Sequence, residues 1–347
     1  MTEAAQSKTV LMTGGSGFLG GWCIAALLDR GYAVRTTIRD LAREEHVRSQ
    51  VAAAGTDAGD RLTVLAADLH SDDGWADAVA GCDYVLHTAS PFPPKQPKDP
   101  DDLIVPARDG ALRVLRAALD ASVSRIVMTS SVAAVRGGGD PVRGSAYTDE
   151  DWTDSGNTSL TPYTRSKTIA EREAWKLVDE RDARSRLAVV NPGAIIGPAL
   201  SDDVSFSLEL IERLLKGMPG VPKLGFSFVD VRDVADLHVR AMEQEAAGGK
   251  RFLATNGFMW MSDVGEVLRE RLGDRARKVP TRSVPNLMVK AMGIFDPGVR
   301  TIVSELDQHP EYSSEPARTE LGWSPRPLED SIAETGESLI EHGIVSV

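Results

Sequence analysis

The sequence predicts an α/β fold, a doubly wound parallel sheet with a smaller, mostly helical lobe toward the C-terminal end. Three observations predict it. Residues 8–39 read as strand, glycine turn, helix and strand. Short apolar strands then alternate with helical stretches as far as residue 242. Beyond about residue 256 the texture changes to helices, prolines and charge.

The first unit is the most specific. Val10, Leu11 and Met12 form an apolar run, followed by Gly14, Gly15, Gly17, Gly20 and Gly21. Phe18, Leu19, Cys23, Ile24, Leu27 and Leu28 recur at helical spacing, and Gly31 stops that helix. Val34–Ile38 reads as the next strand, rich in β-branched residues. The turn needs backbone angles that a side chain forbids. A pyrophosphate must approach bare amides at the helix start, where the helix dipole favours an anion. Gly20 lets the helix pack closely on the strand. This is the βαβ unit of a dinucleotide-binding, Rossmann-type sheet. Thr9–Leu28 carries no charge and follows Lys8, as a leader would, but five glycines inside it argue against export and against a membrane helix.

The remaining elements follow in order. Leu41–Ala54 reads as a charged helix and Arg61–Ala66 as a third strand, ending toward Asp68. Asp83–His87 is a fourth strand; residues 91–102, with five prolines, are a surface loop. Leu103–Ala121 is a helix and Arg125–Met128 a fifth strand, stopping at Thr129-Ser130-Ser131. Gly137-Gly138-Gly139 predicts a mobile excursion. Tyr163–Val178 is a helix with Thr161 as cap and Pro162 at its first position. Leu187–Val190 is a sixth strand, running into Asn191-Pro192-Gly193; Phe226–Asp230 is a further short strand and Val231–Met242 a helix. Residues 1–191, with 225–255 returning to them, are expected to form the nucleotide domain, and 192–224 with 256–347 the substrate lobe.

The composition limits the partners. The chain has 347 residues and a formal charge of −12, which argues against nucleic acid or an anionic membrane as partner. Two cysteines, Cys23 and Cys82, are expected to be buried thiols in a reducing, cytoplasmic setting. Six histidines lack ligand spacing, so no metal site is expected. A monomer or homodimer is expected.

In an open parallel sheet, ligands sit beyond the carboxyl ends of the strands. Those ends carry Thr13, Arg39, Asp68, Thr88-Ala89-Ser90, Thr129-Ser130-Ser131 and Asn191-Pro192-Gly193. Tyr163 and Lys167 are four apart on one helix face. An ammonium there favours the phenolate, so the phenol is expected to ionise below its usual value near pH ~10. Such a tyrosine gives a proton to a carbonyl that becomes an alkoxide. A serine hydroxyl aimed at the same oxygen stabilises the developing charge.

Thr13-Gly14-x-x-Gly17-x-x-Gly20, Thr129-Ser130-Ser131, Tyr163-x-x-x-Lys167 and Asn191-Pro192-Gly193 together resemble the extended short-chain dehydrogenase/reductase family. Residues 34–40, 87–92, 149–154 and 228–242 carry a closer likeness to its dihydroflavonol reductase, cinnamoyl-CoA reductase and yeast methylglyoxal (aldehyde) reductase branch. The resemblance implies an NADP(H)-dependent carbonyl reductase. It implies Tyr163 as acid, Lys167 as its tuner and ribose holder, and Ser131 as the group polarising the carbonyl. The expected cofactor contacts are Thr13, Gly14, Gly17, Phe18, Leu19 and Gly20 at the turn, Arg39, Arg43, Asp68 and Leu69 on the adenosine side, and Thr88, Ala89, Ser90, Thr129, Ser130, Asn191, Pro192, Gly193 and Ile195 toward the nicotinamide, with Tyr163 and Lys167. Phe92, Val132, Arg136 and Phe226 are expected at the substrate pocket, with core packing as the alternative for each. Dihydroflavonol reductases carry an asparagine five residues after the catalytic serine; Arg136 stands there, so a generalist ketone or aldehyde reductase fits better than a flavonoid enzyme.

Three other readings share parts of this pattern. NAD-retaining sugar-nucleotide epimerases and dehydratases usually end the second strand with an acidic residue; here Ile38 and Arg39 stand there. Dehydratases carry Thr-Asp-Glu where this chain has Thr129-Ser130-Ser131. A hydroxysteroid dehydrogenase is the nearest enzymatic alternative. NmrA-like NADP-sensing proteins are the non-enzymatic one, and they typically lack the tyrosine. Arg39 predicts NADPH over NADH, with Asp40 turned away to cap the next helix.

Overall fold

The first strand, β1 (Thr9–Thr13), is central to a seven-stranded parallel sheet. The computed structural model describes residues 7–91, 97, 99–138, 144–202, 205–295, 299 and 302–346. On one side of β1 lie β2 (Ala33–Ile38) and β3 (Leu62–Ala66). On the other lie β4 (Tyr84–His87), β5 (Arg125–Thr129), β6 (Leu187–Pro192) and an edge strand at Arg251–Ala254. Strand order reverses at β1, so a crevice opens beyond the ends of β1 and β4. The register sets Thr13 beside Thr37 and His87, and Thr129 beside Val190.

Alternation along the strands sends side chains into two cores. Val10, Met12, Leu86, Val127, Ala188 and Val190 pack under α1 (Phe18–Asp29) and α2 (Glu44–Ala53). Leu11, Val85, Ile126, Met128, Leu187 and Val189 pack under α3 (Trp75–Val79), α4 (Asp101–Asp120) and α5 (Pro162–Glu180). Strands apolar on both faces are what a sheet covered on both sides requires. Pro106 is tolerated in the second turn of α4, and Thr161 caps α5 by accepting from the Thr164 N–H at 3.2 Å, as the sequence predicts.

After β6 the chain leaves the main sheet. β7 (Ala194–Ile196) begins a three-stranded sheet; α6 (Phe206–Lys216), the two-residue β8 (Val221–Pro222), β9 (Gly225–Asp230) and α7 (Val231–Glu243) follow. The edge strand Arg251–Ala254, now β10, returns to the main sheet, and β11 (Phe258–Trp260) pairs with β9. Then come α8 (Met261–Leu272), β12 (Ser283–Val284, paired with β8), α9 (Asn286–Phe295), α10 (Glu315–Leu321) and α11 (Leu328–Glu341). α7 packs on α1 and joins the first core, while α6, α8 and α11 enclose a third core around Phe228, Leu268 and Ile332.

Two features differ from the sequence reading. The strand at 225–230 belongs to the small sheet, and the seventh main strand is β10, which the sequence did not mark. β10 is four residues long and follows Gly248-Gly249, so it carries too little pattern to register. Leu41–Ala54 is a short 3-10 turn at Leu41–Arg43 followed by α2. Cys23 and Cys82 are both buried free thiols. Among the described residues no helix is long and apolar enough to cross a membrane, and no cluster suits a metal ion.

Candidate active site

The glycine turn is a backbone cradle. Gly17 caps α1, and no side chain makes a capping hydrogen bond there. Gly14 has φ +79°, and a β-carbon on it would press on the Ala89 backbone. A β-carbon on Gly20 would run into the Gly14 carbonyl. The first amides of α1, at Phe18, Leu19 and Gly20, therefore stand at the strand end with close access to their N–H groups. The Thr13 hydroxyl lies 2.8 Å from His87 Nδ1 and accepts from the Ala89 N–H at 3.2 Å. The Thr88 hydroxyl donates to the Thr13 carbonyl at 2.8 Å, so β1 and β4 are laced together beneath the crevice. Ser90 follows, half-buried. Burial first, then the Lys167 charge, push the His87 imidazole down to about 3, so it is neutral at ordinary pH.

At the other end of the crevice, Arg39 is exposed just past β2. The Asp40 carboxylate accepts from the Ala42 N–H at 2.9 Å and caps the turn that carries Arg43, as expected. Asp68 accepts from the His70 N–H and ring; these bonds and the nearby Arg39 charge hold its carboxyl below the usual range. Leu69 packs against Gly110 of α4.

Ser131 opens the short turn Val132–Ala134 and accepts from the Ala133 N–H at 3.1 Å. It also hydrogen-bonds the Tyr163 phenol, which sits in the first turn of α5. One turn on, Lys167 Nζ lies 5.9 Å from the Tyr163 ring centroid. The expected lowering of Tyr163 by Lys167 does not hold. Burial dominates and pushes the phenol above its ordinary value, against the Ser131 bond that pulls it down. Lys167 is itself half-buried, and its loss of solvent brings the ammonium down to about 8, opposed by the Glu171 carboxylate.

Three residues that sequence reasoning missed, His87, Glu171 and Arg251, complete the surroundings. His87 lies under Thr13. Glu171, fully buried, is one turn beyond Lys167 and pairs with Arg251 of β10 at 2.5 Å. A glutamate on the same inward helix face as Lys167, Ala170 and Ala174 is the signal that would have found it. Asn191 donates to both the Ser131 carbonyl, at 3.1 Å, and Glu171, at 2.8 Å. Pro192 ends β6; a β-carbon on Gly193 would run into the Ser227 carbonyl. Ile195 pairs with Val229 and packs on the first core.

Other expected residues have different company. The Thr129 hydroxyl bonds His238 Nε2 at 2.7 Å, on the α7 side. The Ser130 hydroxyl is buried with no partner among the described residues. Arg136 is buried and ion-paired with Glu305 at 3.3 Å, so it is a wall rather than an open lining group. Phe226 packs edge-on against Phe228 in the third core. Val132 is half-buried beside Ser131. Phe92, and Pro94 beside it, lie outside the described residues.

The model of the NAD dependent epimerase/dehydratase family matches residues 10–254. The chain is 35% identical to cinnamoyl-CoA reductase CAD2 of Medicago truncatula over 346 residues, 98% of each chain. It is 33% identical to an anthocyanidin reductase of Vitis vinifera over 314 residues, 86% of this chain and 87% of that one. Among solved structures it is similar to yeast methylglyoxal/isovaleraldehyde reductase Gre2 complexed with NADPH, with a TM-score of 0.80 and 26% identity, covering 97% of this chain and 100% of that one. The strand order, the glycine cradle and these likenesses agree, and the chain belongs to the NAD dependent epimerase/dehydratase family, on its extended short-chain reductase branch, as an oxidoreductase.

Proposed function

We propose that this chain is an NADPH-dependent carbonyl reductase that turns ketones or aldehydes into alcohols, with Ser131, Tyr163 and Lys167 as its working residues. The observation that carries the reading is the half-buried Tyr163 phenol in reach of the Ser131 hydroxyl, with Lys167 one helical turn away. A glycine crossing that no β-carbon can enter fits a dinucleotide pyrophosphate. Thr13, Gly14, Gly17 and the amides of Phe18–Gly20 would hold that group, Arg39 and Arg43 the adenosine phosphate, and Lys167 the nicotinamide ribose. NADPH, when bound, supplies the hydride.

The chain's residues handle the proton. Burial keeps the Tyr163 phenol protonated at neutral pH, so it is an acid ready to donate to a carbonyl oxygen. Ser131, hydrogen-bonded to that phenol, gives a second donor to the same oxygen. Lys167, charged below about pH 8, offsets the phenolate left on Tyr163 until solvent reprotonates it. The small sheet with α6, α8 and α11 would enclose the substrate, and the main sheet with its helices the nucleotide. Arg136, locked to Glu305, leaves no free amide for flavonoid hydroxyls and favours small carbonyl substrates.

The test is NADPH oxidation with a panel of aldehydes and ketones, methylglyoxal and isovaleraldehyde among them. Turnover with several small carbonyls is expected. No NADPH oxidation with any of them, by protein that binds NADPH, would overturn the reading.

A further inference from the structure

Buried ion pairs seldom add net stability, because desolving two charges offsets most of their attraction. Glu171 and Arg251 form such a pair, from α5 and the edge strand β10, and its connections run toward the site. Arg251 Nε donates to Glu171 Oε1 at 2.5 Å, and the second carboxylate oxygen accepts from Asn191 Nδ2 at 2.8 Å. The same Asn191 amide donates to the Ser131 carbonyl at 3.1 Å. Arg251 also donates to the carbonyls of Asp149 and Asp151, at 2.7 and 2.8 Å, and lies 3.7 Å from the Trp152 ring centroid. From that loop, Thr153 bonds back to the Ala133 and Ala134 carbonyls, at 2.7 and 3.0 Å, in the turn that Ser131 opens. Two separate routes thus lead from Glu171 to the Ser131 turn, and one helix leads from it to Tyr163 and Lys167.

We propose that Glu171 is a positioning residue that clamps the Tyr163–Lys167 helix to Asn191 and Arg251 and so sets the Ser131 turn against the phenol. Two parts of the chain far apart in sequence must present their hydroxyls to one oxygen, and Glu171 is where both are anchored. It also acts on Lys167 by charge. Lys167 faces Tyr163 and Glu171 along its own helix and His87 from β4; Glu171 faces Arg251 from β10, and Arg172 lies 4.5 Å from the Trp152 ring centroid. Glu171 is the group that holds the half-buried ammonium charged against desolvation.

The link to rate rests on the reductase reading, so the test has an arm that needs neither cofactor nor substrate. Lys167 is titrated by NMR of ¹³Cε-labelled lysine in the cofactor-free protein, with Lys167→Arg giving the assignment. In Glu171→Gln its midpoint is expected to fall by about 1 pH unit. In the second arm, kcat of Glu171→Gln at saturating NADPH is expected to fall roughly 10- to 100-fold, the scale of slight misplacement of a catalytic group. If Glu171→Gln does not fold, the double variant Glu171→Gln/Arg251→Met removes both charges at similar volume and takes its place, with the same directions expected. A folded variant with Lys167 titrating as in wild type, or with wild-type kcat, overturns the proposal, whatever its Tm. A wild type that reduces no carbonyl defeats the functional reading instead, and the titration still decides the role of Glu171.

Discussion

Ser131 and Tyr163 share a hydrogen bond although they lie on different elements, one at the end of β5 and the other in the first turn of α5. Tyr163→Phe keeps the ring and loses the proton. Its NADPH dissociation constant is expected to stay within a factor of two or so of wild type, and kcat to fall by roughly 10²–10⁴. Stopped-flow turnover near wild type would remove Tyr163 from the chemistry.

Adjacent serines separate the register. Ser131→Ala removes one donor to the carbonyl oxygen and is expected to cost roughly 10²–10³ in kcat. Ser130 has a buried hydroxyl with no partner among the described residues, so Ser130→Ala deletes nothing that is bonded. Activity and Tm of Ser130→Ala are expected at or above the wild-type values. The reverse ranking would mean that the wrong serine has been assigned.

Lys167 sets a pH limit. Its pKa is depressed to about 8, so the ammonium is present below that pH and lost above it. The proposed mechanism needs the ammonium and a protonated Tyr163, whose own pKa is raised. The profile of kcat/KM for carbonyl reduction is therefore expected to be level below about pH 8 and to fall above it. A rate that rises through pH 8 in the reductive direction would contradict this order.

Cofactor choice is expected to rest on Arg39. Its guanidinium is exposed past β2, and the neighbouring carboxylate of Asp40 is engaged by the Ala42 N–H. A planar fork there matches a phosphate on the adenosine ribose, and a carboxylate would repel it. Arg39→Ala is expected to cut the NADPH-over-NADH ratio of kcat/KM by at least about tenfold. An unchanged ratio places the preference elsewhere.

Two buried imidazoles make the fold sensitive to acid. Burial lowers His87 to about 3 and His238 to about 4, against an unfolded value near 6.5. Below pH ~6.5 the unfolded chain binds protons that the folded chain refuses, so stability falls as pH falls, by up to about 1.4 kcal/mol per pH unit for each histidine. The loss stops for each group below its folded pKa. His238 Nδ1 lies 2.8 Å from the Val234 carbonyl, which can only accept, so Nδ1 carries the proton and Nε2 accepts from Thr129. Urea midpoints between pH 7 and 5 are expected to fall less steeply in His238→Gln than in wild type.

What the sequence made legible was local. The glycine crossing, the Thr161 cap and the Asp40 cap are written in consecutive residues, and each is in the structure as read. The partner of Glu171 was not legible, because Arg251 is 80 residues away on a strand of four residues. The direction of the Tyr163 shift was misread for a related reason. Lys167 at i+4 is visible in sequence, but the depth at which both groups are buried belongs to the packing of α5 on α4 and the sheet. Arg136 was legible as a departure in charge, and only the fold supplied Glu305 as its counter-ion.

The passage from β6 to β7 has a mechanical consequence. Gly193 is the single residue between a strand of the large sheet and a strand of the small one. Its N–H is held by the Ala254 carbonyl at 3.0 Å, and its missing side chain is the clearance that admits the Ser227 carbonyl. Two sheets thus turn on one unpadded bearing. Load on the small sheet travels along a continuous rod of chain and arrives two residues upstream at Asn191, whose amide grips the Ser131 carbonyl. Widening Gly193 to alanine would set a β-carbon against the Ser227 carbonyl and force the two sheets apart at that point.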